Sequence, residues 1–294
     1  MKIWKSYFAG LGEATIRPKM ILLLWIINFL FSSVIFYLVF DVCCRIVGST
    51  LAAESLVQKM DYHILFDTLF HHGEQTSMIF SVALILIVLY IPVSLLLKGG
   101  ILHTLRKKQT QEEGENPQKF LPLFFQGAGK FFGRFLRLWI YSLILWLVFL
   151  LLNVVLHPIG KLLTNDGFNE HMLVYVFIGR IIIGLFFVLL IKMIMDYARI
   201  RIIVEETPKV FRSFMQTLKY VFGNLGKTLA LFYLLFLTGI LVMILFWIAK
   251  SSVPSTSVAG SALGFLIGQV VIYVRSWSNV TFQAGQLRLY EQNE

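Results

Sequence analysis

Apolar residues in this chain come in long, almost uncharged runs, not in the short periodic stripes of a water-soluble fold. Six runs stand out, at about residues 20–40, 78–97, 138–156, 173–195, 229–249 and 263–282. The first holds 21 residues without a charge. As a helix it would measure about 31 Å at 1.5 Å per residue, enough for a hydrocarbon core of roughly 30 Å. It is also too long for the apolar region of a signal peptide. A segment crossing lipid must satisfy its own backbone hydrogen bonds, so each run reads as a helix and the fold class as all-α. The expected architecture is an integral membrane six-helix bundle, a single membrane domain over 1–294.

Amphipathic segments precede three of the runs. Residues 1–19 put Trp4, Tyr7, Phe8 and Leu11 on one helical face, with Lys2, Lys5, Arg17 and Lys19 around them. Asn116-Pro117 is an N-cap and N1 pair opening a helix over about 117–135. Its Phe120, Phe124, Phe131 and Phe135 are expected to face lipid, while Lys130 and Arg134 reach headgroup phosphates. Thr207-Pro208 repeats that signature before a helix over about 208–222, with Phe211, Phe214, Leu218, Val221 and Phe222 as its apolar face. Each segment predicts an interfacial helix leading into a pair of spans. The chain then reads as three helix-hairpin units in parallel repeat. The exits of the even spans agree: Lys98-Gly99-Gly100, Asp196-Tyr197-Ala198 and Phe282-Gln283-Ala284 each place small residues where the helix leaves the membrane.

Composition sharpens this picture. Apolar residues make up 57% of the chain and charged residues 14%, well below the roughly 25% of soluble domains. The net charge of +10 does not imply nucleic acid, because the bases flank apolar runs and no free-standing basic patch carries interleaved aromatics. Of 26 Lys and Arg, Arg45, Lys59, Lys161 and Lys250 fall in one set of loops and Arg180 and Arg275 inside spans. The others lie in the opposite set of loops and the termini, or, for Lys192, at the end of the fourth run that adjoins such a loop. The positive-inside rule therefore puts both termini in the cytoplasm of a multi-pass protein of the bacterial inner membrane. Cys43 and Cys44 are adjacent, with Cα atoms about 3.8 Å apart, closer than a relaxed disulfide wants.

Basic interfacial helices before each hairpin, six spans and the string Asp196-Tyr197-Ala198-Arg199-Ile200-Arg201 together resemble a diffuse group of bacterial six-span proteins, most of them uncharacterised. The chain is similar to the membrane domain that some bacteria fuse to glycerophosphodiester phosphodiesterases. The resemblance implies a helical membrane fold. No phosphodiesterase catalytic domain follows in this sequence, so it implies no such activity, and it transfers no catalytic residue.

Candidate chemistry is sparse. Along the sixth run Gln269, Arg275, Ser276, Asn279, Gln283 and Gln286 share an arc of about 120° on a helical wheel. Such a stripe either lines a path for a small molecule or bonds neighbouring helices. Arg180 stands inside the fourth run beside Gly179 and Gly184, which are expected to permit close helix approach. It reads as an anion site or as an arginine whose stem snorkels. Lys192, Asp196 and Arg199 form a cation–anion–cation stripe at the inner end of that run. Lys130, Arg134, Arg137, Lys219 and Lys227 are the expected headgroup contacts. His63, His71, His72, His157 and His171, with Asp67, Glu74 and Glu170, show no specific ligand spacing, so no metal site is expected. Gly99, Gly100, Gly127 and Gly129 predict tight packing. Nothing resembles a P-loop, a nucleophile elbow or a dinucleotide fingerprint, so neither a cofactor nor catalysis is expected. The reading is a scaffold, assembly factor or accessory subunit of a membrane complex, partnered by anionic lipid and other membrane subunits. The alternative is a transporter or lipid-handling protein using a polar cavity along the sixth span.

Overall fold

A computed structural model describes residues 2–47, 73–110, 119–164, 170–253 and 258–293. Every element among them is helical: α1 (Lys2–Thr15), α2 (Pro18–Val47), α3 (Gly73–Thr110), α4 (Phe120–Thr164), α5 (Glu170–Glu205), α6 (Val210–Gly223), α7 (Leu225–Ser251) and α8 (Val258–Glu291). Among the described residues five stretches are long and apolar enough to cross a membrane: Pro18–Leu38, Phe80–Lys107, Phe120–Val155, Val174–Glu205 and Leu225–Ser251. This is the make-up of a helical multi-pass membrane protein. The sixth expected span lies within α8, which is helical throughout but is not among the five.

The breaks between helices follow local chemistry. Pro18 has no N–H to donate, so it starts α2 and separates it from α1. Asn224 stops α6, its backbone N–H donating to the carbonyls of Tyr220 and Val221. Between Phe135 and Leu138 there is neither Gly nor Pro, and nothing stops the helix there. The expected interfacial helix at 117–135 and the span at 138–156 are consequently one rod, α4, of 45 residues. Asn116 and Pro117 lie outside the described residues. Lys209, not Thr207, occupies the N-cap of α6, and Thr207 is instead bonded through its hydroxyl to Ser213 at 2.8 Å. Likewise α3 continues as a helix through Pro92.

The chain divides into two compact units. One comprises Met1–Gly10, Lys98–Tyr233 and Gln283–Glu294, the other Leu11–Leu97 and Leu234–Phe282. In the first unit α4, α5 and α6 pack against one another in pairs. Burial there follows position along each helix as much as face. Phe124, Phe131, Phe135 and Leu138 of α4 are enclosed, as are Met193, Tyr197, Ala198 and Ile202 of α5 and Ala284, Leu287 and Tyr290 of α8. Farther along the same rods, Leu143, Ile144, Leu147 and Leu151 of α4 and Tyr175, Phe177, Ile181 and Ile182 of α5 stand exposed. An exposed face of this extent and apolarity suits lipid, not water.

Phe124, Phe131 and Phe135 therefore do not face lipid. They have protein to pack on because the end of α3 runs alongside. A Cβ on Gly100 would stand 2.7 Å from the ring of Phe124, and one on Gly99 3.3 Å from the Gly127 carbonyl oxygen. The His103 and Phe131 rings lie 5.8 Å apart. Gly99, Gly100 and Gly127 thus permit helix contact, whereas a Cβ on Gly129 would meet nothing within 4 Å. Gly179 is likewise open, and Gly184 would bring only an ordinary 3.9 Å contact with Phe149, so neither mediates close approach beside Arg180.

In the second unit three polar side chains form a chain. Tyr90 donates to Asn28 Oδ1 at 2.8 Å, and Asn28 donates to Ser276 Oγ at 3.4 Å. Trp25 adds a bond to the Gln269 carbonyl at 3.3 Å. These side chains satisfy one another where neither water nor lipid would.

Candidate functional site

The polar centre of the first unit is built where α5 ends. Glu206 follows its last residue with φ of 51, the one positive value among the described residues other than glycine. That left-handed conformation is uncommon for a residue with a long side chain. Here it is clamped from both sides. Lys130 donates to the Glu206 carboxylate at 2.7 Å, and Arg134 donates to its backbone carbonyl at 2.8 Å. Arg106 stands 3.9 Å from the same carboxylate and donates to the Ile203 carbonyl. One acid thereby gathers cations from α3 and α4 onto the end of α5. The carboxyl is held below the usual range chiefly by the hydrogen bond from Lys130, then by the charges of Lys130 and Arg106, while partial desolvation works the other way. A lowered folded-state pKa means its contribution is complete above the unfolded carboxylate pKa and is lost as acidification passes through the lowered value.

The strained backbone makes an ordering of variants testable. Glu206→Ala loses the ion pairs and keeps the strain, which costs on the order of 1–2 kcal/mol for a residue with a Cβ. Glu206→Gly loses the same pairs but relieves the backbone. Thermal unfolding in detergent should rank wild type above Glu206→Gly and Glu206→Gly above Glu206→Ala. The reverse order of the two variants would rule out a strained Glu206.

A second charge cluster lies about two to three turns upstream on α5. Arg199 and Asp196 pair at 2.7 Å with side chains 9% and 12% exposed. Lys98, part-buried at the exit of the second expected span, lies within electrostatic reach of Arg199, Asp196 and Lys192. Lys192 also sits over the Phe232 ring at 5.8 Å. The sequence stripe Lys192, Asp196 and Arg199 is thus an actual cluster, joined by Lys98. Lys98 was legible only as the charge ending its run.

The expected headgroup contacts divide. Lys130 and Arg134 are turned to Glu206 and flank the Phe131 ring at 5.4 and 5.3 Å. Arg137, Lys219 and Lys227 are exposed. Beside Glu206 a cleft of about 410 Å³ opens among Glu205, Thr207, Lys209, Arg212, Ser213 and Gln216. Glu205 is held by Arg201 at 2.6 Å, leaving Lys209 and Arg212 as the cations of the rim.

The wheel stripe of the sixth expected span does not stay together. Arg275 and Asn279 are exposed, Gln269 is part-buried, and Ser276, Gln283 and Gln286 are buried. The wheel assumes one covered face, but residues 280–287 are buried on all sides. Gln283 Oε1 and both amide atoms of Gln286 have no hydrogen-bond partner, nor does the hydroxyl of the fully buried Tyr197. Arg180 is part-buried on α5. His63, His71, His72 and Asp67 lie outside the described residues, as do the side chains of Glu74, His157, Glu170, His171, Cys43 and Cys44. Among the described residues no three His, Cys, Asp or Glu gather as metal ligands would.

The chain matches no protein-family model, no curated protein and no solved structure.

Proposed function

We propose that this chain is a six-span protein of the bacterial inner membrane with both termini in the cytoplasm. In this reading it is a scaffold, assembly factor or accessory subunit of a membrane complex, without catalysis of its own. One bond supports the even number of crossings. Lys2 Nζ, at the start of α1, donates to the Gln292 carbonyl at 2.7 Å, just beyond α8. Chain ends that touch lie on one side of the bilayer, whereas five crossings would separate them. The polar α8 is then the sixth crossing, and the three hairpins with their amphipathic entries follow. The excess of Lys and Arg at that end supports the cytoplasmic assignment and contact with anionic lipid. The resemblance to bacterial six-span proteins agrees with this location.

The observation that carries the scaffold reading is the Glu206 knot. Its charged groups hold three helices together and leave a surplus of positive charge around a single carboxylate. Such an arrangement fixes a surface. A second reading, a transporter or lipid-handling protein, is favoured by the unpartnered amide of Gln286, which calls for water or a polar ligand. Purification in mild detergent, followed by mass spectrometry of what comes with the chain, separates the two. The scaffold reading expects a stoichiometric protein partner. A bound small molecule without a partner, lost in Gln286→Leu, would replace it with the second reading.

A further inference from the structure

We infer that α6 is a preset anchor on an anionic bilayer surface, with three faces for three environments; this rests on the membrane-spanning reading above. Successive residues of a helix point about 100° apart. Val210, Phe214, Thr217 and Val221 recur at the 3- and 4-residue spacing of one stripe, and all are buried, between 0% and 4% exposed. That face is taken up by protein.

One residue on, Phe211, Met215, Leu218 and Phe222 repeat the same spacing as a second apolar stripe. Leu218 is part-buried, but Phe211 is 53%, Met215 41% and Phe222 56% exposed. On the remaining arc stand Lys209, Arg212, Gln216 and Lys219, with all three cations exposed. The helix contains no Asp or Glu. A sequence wheel merges the two apolar stripes into one broad face; only burial divides them.

Two observations identify lipid as the cover of the second stripe. The Phe211 ring meets the Tyr141 ring of α4 edge-on at 5.7 Å. Around Tyr141, Ile140, Leu143 and Ile144 are 48% to 55% exposed within a membrane-crossing stretch. The stripe therefore continues a surface that already faces acyl chains. Its free edge carries Arg212 and Lys219, where an interfacial helix places bases for headgroup phosphates. The all-positive edge selects anionic lipid. Packing fixes the orientation: Phe214 also meets Tyr141, at 6.3 Å, and the Tyr220 ring lies 5.8 Å from Tyr197 and 5.0 Å from Tyr290. The helix cannot roll to hide its second stripe.

The test uses the full chain with Cys43 and Cys44 replaced by alanine, in vesicles of phosphatidylcholine and phosphatidylglycerol. Nitroxide labels are placed singly at Phe211, Met215, Phe222, Lys209 and Gln216. The first three should be accessible to oxygen and shielded from a water-soluble nickel chelate, and the last two the reverse. Nickel access at all of the first three, or shielding from both relaxants by a protein partner, would overturn the anchor. A fluorophore at Met215 should be quenched several-fold more effectively by brominated phosphatidylglycerol than by brominated phosphatidylcholine. Arg212→Gln with Lys219→Gln should remove that preference, since each base near an anionic surface contributes about fivefold. An unchanged preference would overturn the anionic selectivity. Neither arm depends on whether a protein partner is found, so the scaffold reading can fail separately.

Discussion

Replacing Asp196 by alanine should be the most damaging single charge change in the chain, costing about 3–5 kcal/mol. Arg199 is almost wholly enclosed, with Asp196 as its ion-pair partner and its Nε without any partner. Removing the carboxylate leaves a buried guanidinium uncompensated, a far larger loss than the net value of the pair. The same reasoning predicts a rescue. Asp196→Leu combined with Arg199→Met removes both charges and should recover most of the stability, since buried ion pairs often do no better than apolar residues of similar volume. Thermal unfolding of the purified variants in detergent measures both. A double variant no better than Asp196→Ala would mean that the pair's worth lies beyond charge compensation.

Gly127→Ala should cost about 3 kcal/mol, at the upper end of overpacking penalties. The new methyl would run into His103 at its Cβ and ring base. Because the clash reaches the Cβ, trimming His103 to alanine should not relieve it. Gly129→Ala, two residues along the same rod, is the control. Nothing lies within 4 Å of that position, so losing a helix-interior glycine should stabilise by about 0.5–1 kcal/mol. Fluorescence-detected size exclusion after a heating series separates the two. Equal behaviour would contradict the close crossing of α3 and α4.

The long helices were legible in the sequence because apolar runs need no partner to reveal themselves. The breaks before α2 and after α6 fall near the expected joins between interfacial helix and span, although Pro18 and Asn224, which make them, were not read as stops. The continuity of α4 was not legible, since an amphipathic segment and a span merge unless something stops the helix. Phe124 and Phe131 misled for a related reason. In a membrane protein both lipid and protein accept an apolar face, so a stripe of phenylalanines does not say which it meets. The cluster at Asp196 could be read from spacing along one helix. Its neighbour Lys98 and the Glu206 knot could not, because they join residues about 70 to 100 positions apart. Glu205-Glu206, an acidic pair in an otherwise basic stretch, is the one sequence signal that could have marked the place.

Accessibility from the two sides of the membrane tests the central claim most directly. Single cysteines at Lys209, before α6, and at Ser252, after α7, are to be labelled with a membrane-impermeant maleimide in intact cells and again after permeabilisation. Ser252→Cys should react in both conditions and Lys209→Cys only after permeabilisation. Labelling of Lys209→Cys in intact cells, with Ser252→Cys protected, would turn the protein over and contradict the account.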